Sequence, residues 1–101
     1  FVNAVDARQY TPLLVAADMG DEYCARLLIK NGANVNARAL EGVTAMHIAT
    51  LGDYLKIVIL LQKAGANINA ENEAGRTSLM LAEEHGRKEI ARFLRSKHAI
   101  R

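Results

Sequence analysis

At 101 residues the chain has room for one compact domain, and a second domain does not fit. Half of the residues are hydrophobic, yet Phe, Tyr and Trp make up only 5%, so aliphatic side chains must form the core, which favours packed helices over a sheet sandwich. The formal net charge of +2 is too small to favour nucleic acid as a partner, because nucleic-acid-binding domains carry a dense basic stripe.

The sequence shows no segment typical of membrane insertion or secretion. The longest apolar run, residues 55–61, is interrupted by Lys56 and is far shorter than the roughly 18 residues that a spanning helix needs. The first ten residues do not resemble a signal peptide. Since no initiator Met is present, we expect that the chain is part of a longer protein or has been processed. The single cysteine, Cys24, excludes an internal disulfide and favours an intracellular location, either cytoplasmic or nuclear.

The sequence repeats itself with a period of 33 residues, which separates Thr11, Thr44 and Thr77. A fixed period of this size is typical of stacked supersecondary units. The same step relates Ala16, Ala49 and Ala82; Leu28, Leu61 and Leu94; and Gly32 and Gly65, with His98 where a third glycine would fall.

Each unit has the pattern of two short helices followed by a turn. A Thr precedes each first apolar run and can cap the free amide groups of a helix, and Pro12 suits the first helical position. A glycine, Gly20 or Gly86, then ends the first helix. In the second unit the glycine comes one residue early, as Gly52, and Asp53 occupies the position that matches Gly20 and Gly86. A second helix follows, and Gly32 or Gly65 ends it in the left-handed conformation. Because one helix pair cannot bury its own apolar face, the units must stack.

The repeated segments resemble ankyrin repeats. The resemblance rests on TPLLVAADMGD and ARLLIKNGANVNA in the first unit, EGVTAMHIAT and IVILLQKAGANINA in the second, and AGRTSLMLAEEHGRKEIARFL in the third. It covers the whole chain and implies an all-α fold, a solenoid of stacked helix-turn-helix units with projecting β-hairpin loops at about residues 34–43 and 67–76. It also implies a single ankyrin-repeat domain with repeats at about residues 5–37, 38–70 and 71–101.

The chain departs from the family pattern at two places. The family's Thr-Pro-Leu-His turn keeps its histidine only in the second unit, as His47. The resemblance implies that this histidine ties neighbouring turns together by hydrogen bonds; a metal ligand or general base is the alternative, although no second ligand lies at metal spacing. Gln9 replaces the loop glycine that Gly42 and Gly75 match, so we expect a reshaped or stiffened first turn.

Little in the sequence indicates a catalytic, cofactor or metal site. Cys24 lies in register with Ile57 and Ile90 on an apolar helix stripe, so we expect a buried, inert thiol, with a nucleophile as the alternative. The glycines are explained by caps and turns rather than by a phosphate-binding loop. His85 and His98 are isolated and should be solvated. We therefore expect no enzyme, no cofactor, no metal and no small-molecule substrate.

The third unit has the composition of a terminal repeat, and the first unit has that of an interior one. We therefore expect further ankyrin units upstream, and a solvated outer face at the carboxyl end that basic residues also favour through the helix dipole. A site for an anionic partner is the alternative. The basic residues concerned are Arg87, Lys88, Arg92, Arg95, Lys97 and Arg101, which alternate with Glu83, Glu84 and Glu89.

The resemblance also makes two asparagines candidates for modification, because ankyrin repeats are often substrates of an asparaginyl hydroxylase. The preferred pattern places a Leu eight residues before an Asn that follows Val or Ile, as Leu28 precedes Asn36 and Leu61 precedes Asn69. The acidic residue usual before the aliphatic one is missing in both places. A purely structural role for Asn36 and Asn69 in the turn is the alternative.

The function that the resemblance implies is non-catalytic binding of a protein partner through the concave face and the loop tips. The first two units place more apolar residues than the third at the family's variable, exposed positions, and Arg8 and Tyr10 are the expected anchors because Arg and Tyr often dominate binding. Packing of Leu40 and Val43 against adjacent loops is the alternative. The candidate partner-binding residues are Arg8, Tyr10, Asp18, Met19, Arg38, Leu40, Glu41, Val43, Leu51 and Arg76.

Two other functions stay open. One is a stoichiometric inhibitor or regulator of a signalling enzyme or transcription factor, as some ankyrin proteins are. The other is a structural spacer that contacts only neighbouring repeats.

Overall fold

The structure, a computed structural model, describes residues 2–99 and contains six α-helices over that range. They are α1 (Pro12–Met19), α2 (Glu22–Lys30), α3 (Ala45–Leu51), α4 (Leu55–Lys63), α5 (Ser78–Glu84) and α6 (Lys88–Ser96). Consecutive helices form three pairs. The first helices of the pairs make one row, in which α1 packs on α3 and α3 on α5. The second helices make another row, in which α2 packs on α4 and α4 on α6. The predicted all-α solenoid is therefore confirmed.

The predicted hairpin loops are tight turns rather than paired strands. Within residues 2–99, the pairing of strand type is a single antiparallel bridge between Arg38 and Thr44. One backbone N–H···O=C hydrogen bond closes each loop in the same way. The bonds run from Asp6 to Tyr10 at 3.1 Å, from Ala39 to Val43 at 2.8 Å and from Asn72 to Arg76 at 3.0 Å.

The repeated Thr residues begin the first-row helices, as predicted. The Thr11 hydroxyl accepts a hydrogen bond from the backbone N–H of Leu14 at 3.3 Å, and Pro12 fills the first helical position. Thr44 and Thr77 repeat this cap at α3 and α5. All three Thr residues are buried, so the caps satisfy backbone groups at the point where the loops join the core.

The core lies at the contacts between helix pairs as well as within them. Alanines line the first row: Ala17 and Ala49 are 0% exposed and Ala82 is 1% exposed. Small side chains there let the helices approach closely, which explains how a chain with few aromatic residues builds a dense core. The larger fully buried hydrophobic side chains are Leu13, Leu14, Met46, Ile57, Val58, Leu61, Leu79, Ile90 and Leu94.

The second helix pair shows why its glycine comes one residue early. Gly52 has an ordinary helical φ of −76°, and the left-handed conformation falls on Asp53, with a φ of 64°. Space requires the glycine, because a Cβ on Gly52 would lie 2.3 Å from Cε2 of Tyr54, whose ring also lies against Gly20. The Tyr54 ring therefore packs between the ends of α1 and α3 and joins the first two pairs.

The first loop keeps the conformation of the third loop although it lacks the glycine found there. Gln9 has a φ of 63°, close to the 72° of Gly42 and the 77° of Gly75 at the matching positions. The expectation of a reshaped first turn is wrong, because the backbone is retained. Gln9 instead carries the steric cost of the left-handed region, about 1 kcal/mol for a side chain with a Cβ.

Replacing Gln9 by glycine is expected to stabilise the protein. Gln9→Gly removes the Cβ clash in the left-handed region and should raise the free energy of unfolding by about 0.5–1 kcal/mol, measured by urea denaturation. Gln9→Ala is the matched control, because alanine keeps the Cβ and should change stability little. Equal stabilisation by both substitutions would show that strain at this position is absent.

Candidate protein-binding surface

Loop tips and the carboxyl ends of the first-row helices lie side by side. In the third unit, Nε of Arg76 in the loop is 2.9 Å from Oε2 of Glu84 at the end of α5. The repeat brings Val43 and Leu51 to the matching positions of the second unit. We call this surface the loop strip. It comprises Arg8, Tyr10, Asp18, Met19, Arg38, Leu40, Glu41, Val43, Leu51 and Arg76.

Several apolar side chains of the loop strip are exposed without a folding reason. Met19 is 73% exposed, Leu40 54% and Leu51 39%. Tyr10 and Val43 are half-buried and pack against the core, so the packing alternative describes Val43 better than Leu40. Exposed apolar residues that are grouped in this way are typical of an interface.

An aspartate or asparagine side chain organises the first and third loops. Oδ1 of Asp6 accepts hydrogen bonds from the backbone N–H groups of Arg8 and Tyr10, both at 2.9 Å, and Asn72 repeats this pattern. The Arg8 guanidinium lies 3.1 Å from the Asp6 carboxylate and 4.3 Å from the centroid of the Tyr10 ring. These hydrogen bonds, above all that from Tyr10, hold the pKa of Asp6 below its ordinary value. Arg8 and Tyr10 are thus held in place by the loop itself, which reduces the entropy lost on binding.

The second loop lacks such a side chain, because Ala39 occupies the matching position. It forms a short 3-10 turn in which Glu41 takes a φ of 65°, an uncommon conformation for a residue other than glycine. Arg38 ties this loop down: its Nη1 donates hydrogen bonds to the carbonyl oxygens of Gly42 at 2.8 Å and Glu71 at 2.7 Å. The guanidinium of Arg38 therefore links the second loop to the third.

Unpaired charge on and beside the loop strip is mainly negative. Within residues 2–99, the carboxylates of Asp18, Glu41 and Glu73 have no ion-pair partner, whereas Arg8 and Arg76 each pair with a neighbouring carboxylate. In the same range, Arg38 is the strip's unpaired cation, and it donates to backbone carbonyl oxygens. Glu73 is fixed close to Glu41, because its backbone N–H donates to the Glu41 carbonyl oxygen at 2.9 Å. A partner with basic side chains at the edge of its contact surface would complement this charge.

His47 links the second unit to the loop of the third. It is 1% exposed. Its Nδ1 accepts hydrogen bonds from the backbone N–H of Thr44 at 3.1 Å and from the Thr44 hydroxyl at 2.8 Å, so Nε2 carries the proton and donates to the carbonyl oxygen of Arg76 at 3.0 Å. The histidine therefore has the tying role that the resemblance implies. Within residues 2–99, no cluster of three or more His, Cys, Asp or Glu could hold a metal ion.

Acidification is expected to destabilise the fold through His47. Burial lowers the pKa of folded His47 from its ordinary value of 6.5, so the unfolded chain binds the proton more readily. The stabilisation from neutral His47 is complete above about pH 6.5 and is lost as the pH falls below that value. Urea denaturation between about pH 7.5 and 5 measures this loss.

The control for this pH dependence is His85, one of the two exposed histidines of the third unit. His47→Asn should flatten the dependence, whereas His85→Asn should leave it unchanged. If His47→Asn keeps the pH dependence of the unaltered chain, the loss of stability at low pH does not come from His47.

The expectation of a buried Cys24 is wrong, because the thiol is exposed. The matching Ile57 and Ile90 are 1% and 0% exposed, since the preceding helix pair covers them, and residues 2–11 place no helix pair over Cys24. A hydrogen bond to Asp21, together with desolvation, raises the pKa of the Cys24 thiol. A raised pKa favours the thiol over the thiolate, and the choice between an inert thiol and a nucleophile stays a prediction.

The two candidate asparagines lie in turns that they help to build. The side-chain oxygen of Asn36 accepts a hydrogen bond from the backbone N–H of Asn67 at 2.7 Å, so it joins successive turns. The backbone N–H of Asn69 donates to Oδ1 of Asn67 at 3.0 Å. Asn36 is exposed and Asn69 is half-buried. The structural role is thus present at Asn36, and hydroxylation of either residue stays a prediction.

The carboxyl-terminal face of the third pair is charged. Arg95 on α6 forms an ion pair with Glu83 on α5. Nη2 of Arg87 donates a hydrogen bond at 2.8 Å to the carbonyl oxygen of Leu51 and so satisfies the end of α3. Sequence reasoning missed this contact, because a backbone carbonyl leaves no signal in the residue pattern. Arg101, the last of the predicted basic set, lies outside the described residues.

Comparison with known proteins identifies the family. A family model described as "Ankyrin repeats (3 copies)" matches residues 1–72 and 38–101. The chain is 34% identical over 89 residues to BCL-6 corepressor-like protein 1 of Homo sapiens, covering 88% of this chain and 5% of that protein. It is 30% identical over 104 residues to Protein glp-1 of Caenorhabditis elegans, covering 92% and 8%. It is also 35% identical over 93 residues to Cyclin-dependent kinase 4 inhibitor B of Rattus norvegicus, covering 91% and 71%.

The chain belongs to the ankyrin repeat family, and the predicted resemblance is confirmed. Ankyrin repeats are protein-interaction modules, so the general class of function follows from membership. The chain spans less than a tenth of the first two relatives and most of the third. The α-helices within residues 2–99 have nine residues at most, so none of them could span a bilayer.

Proposed function

We propose that this chain is a non-catalytic module that binds a protein partner through the loop strip on its concave face. The observation that supports this most is the exposure of Leu40 and Leu51 beside loops that are held rigid by Arg38, by Asp6 and by the bond between the second and third loops. An apolar centre with unpaired carboxylates at its edge fits a partner surface that is apolar with basic residues around it. The proposal includes three repeats within one domain, an intracellular location and no catalytic activity.

A second candidate function is stoichiometric inhibition of a signalling enzyme. It is favoured by one observation, the similarity over 91% of the chain to a protein named Cyclin-dependent kinase 4 inhibitor B, of which the chain covers 71%. Inhibition by the same surface needs no catalytic residue, because occupation of the partner is sufficient. An activity assay of the captured partner with added chain separates inhibition from passive binding.

The loop strip is expected to carry the binding energy. The protein that co-purifies with the unaltered chain from native extract is first identified, and its affinity is then measured with purified variants. Leu40→Ser with Leu51→Ser should weaken binding by roughly 10-fold or more, because two exposed apolar contacts are lost.

The matched control lies on the second row of helices. Tyr23→Ser with Leu27→Ser removes apolar side chains that are similarly exposed, 66% and 41% against 54% and 39%, and should leave the affinity unchanged. Unchanged circular dichroism shows that both variants fold. Full affinity in the folded Leu40→Ser, Leu51→Ser variant, or an equal loss in the control, would exclude the loop strip as the interface.

A further inference from the structure

The first helix pair carries an uncovered apolar groove on the side that faces away from α3 and α4. The groove runs between α1 and α2, is open to solvent and has a volume of about 320 Å³. Asp21 is the one charged residue in its lining. The apolar lining comprises Pro12, Val15, Ala16, Met19, Cys24 and Leu28.

Within this lining, Cys24 and Leu28 match positions that are buried in the other two pairs. Cys24 is exposed, whereas Ile57 and Ile90 at the matching positions are 1% and 0% exposed. Leu28 is half-buried, whereas the matching Leu61 and Leu94 are both 0% exposed. The groove is therefore the same surface that the second and third pairs bury against the pair before them, left open at the first pair.

The interior contacts show what fits this surface. Leu14, Ala17 and Ala25 of the first pair are 1%, 0% and 0% exposed. Glu83 and Ala91, which match Ala17 and Ala25, line the open groove of the third pair, so these two positions lie on the side that meets a following pair. The third pair presents a different surface on its corresponding side. There Lys88, Arg92, Arg95 and Glu83 surround the groove between α5 and α6. A second copy stacked head to tail would place these charges on apolar surface, which is unfavourable.

The chain just ahead of α1 already has the geometry of a turn between two units. The side-chain oxygen of Asn3 accepts a hydrogen bond from the backbone N–H of Asn34 at 2.9 Å. Asn36 makes the same contact with the N–H of Asn67 at 2.7 Å, where it follows a helix pair of the stack. Residues 2–5 thus have the same place in the stack as residues 35–38, which directly follow a helix pair. A helix pair that preceded residue 2 in the same way would lie over the groove.

We propose that the groove of the first pair is the interface for one further helix pair of the same polypeptide, stacked ahead of α1. That pair presents small or medium-sized uncharged side chains at the positions of Leu14, Ala17 and Ala25, as the second pair does with His47, Thr50 and Val58. The groove shares Met19 with the loop strip but none of the residues substituted in the binding test, so this interface and partner binding can fail independently.

Cys24 is a built-in reporter, because it is the only cysteine and it lines the groove. A copy of residues 34–66, which contains no cysteine, is fused ahead of residue 1 to keep the 33-residue register of the full chain. The fused chain should label with a maleimide roughly 100-fold more slowly than the unfused chain, because labelling then requires local opening. Its Tm should rise by about 5–10 °C.

The control changes the contact surface of the fused copy. Thr50→Glu with Val58→Glu, made in that copy alone, should restore fast labelling and remove the gain in Tm. Labelling of the fused chain as fast as that of the unfused chain would overturn the proposal. So would an unfused chain that dimerises in analytical ultracentrifugation and loses Cys24 labelling as it does, because a second copy would then be the occupant.

Discussion

The burial of each helix pair by the pair before it is the interaction on which this structure depends. Helices of seven to nine residues are too short to be stable alone in water, so tertiary packing must supply their stability. Each pair buries one apolar side against its predecessor and offers the other to its successor. The contrast between exposed Cys24 and buried Ile57 is the direct consequence, since the two residues differ in whether a preceding pair is present.

Hydrogen bonds between successive loops align the stacked helix pairs with one another. His47 donates to the Arg76 carbonyl oxygen, Arg38 to the Glu71 carbonyl oxygen, and the Asn67 N–H to Asn36. Each such bond contributes about 1 kcal/mol or less, so together they stabilise the stack less than the buried side chains do. Their directionality fixes the distance between successive loops. That alignment makes the loop strip a surface of defined shape rather than three independent loops.

Most of the fold could be predicted from the sequence, because the 33-residue period and the Thr caps are local or repeated signals. Thr11 and Pro12 predict the start of α1, because the Thr11 cap and the fixed φ of Pro12 both act within the first helical turn. Cys24 could not be placed correctly, because its register with Ile57 predicts the side it faces but not whether a neighbour covers that side.

The polar links of the candidate site were the less predictable part. Arg38 and Arg87 bind backbone carbonyl groups, which every residue has, so no pattern marks their partners. The conformation of Gln9 follows from the closure of its loop, which overrides the preference of the residue. The exposed Leu40 was predictable, because the repeat alignment places it at a loop tip.

Leucine-to-alanine substitutions at the three matching positions test the stacking account most directly. Leu28, Leu61 and Leu94 share residue type and place in the unit and differ in coverage, because Leu28 is half-buried and the others are 0% exposed. Urea denaturation should show losses of about 2–5 kcal/mol, or loss of cooperative unfolding, for Leu61→Ala and Leu94→Ala. Leu28→Ala should lose less than half as much. Equal losses at all three positions would contradict the account.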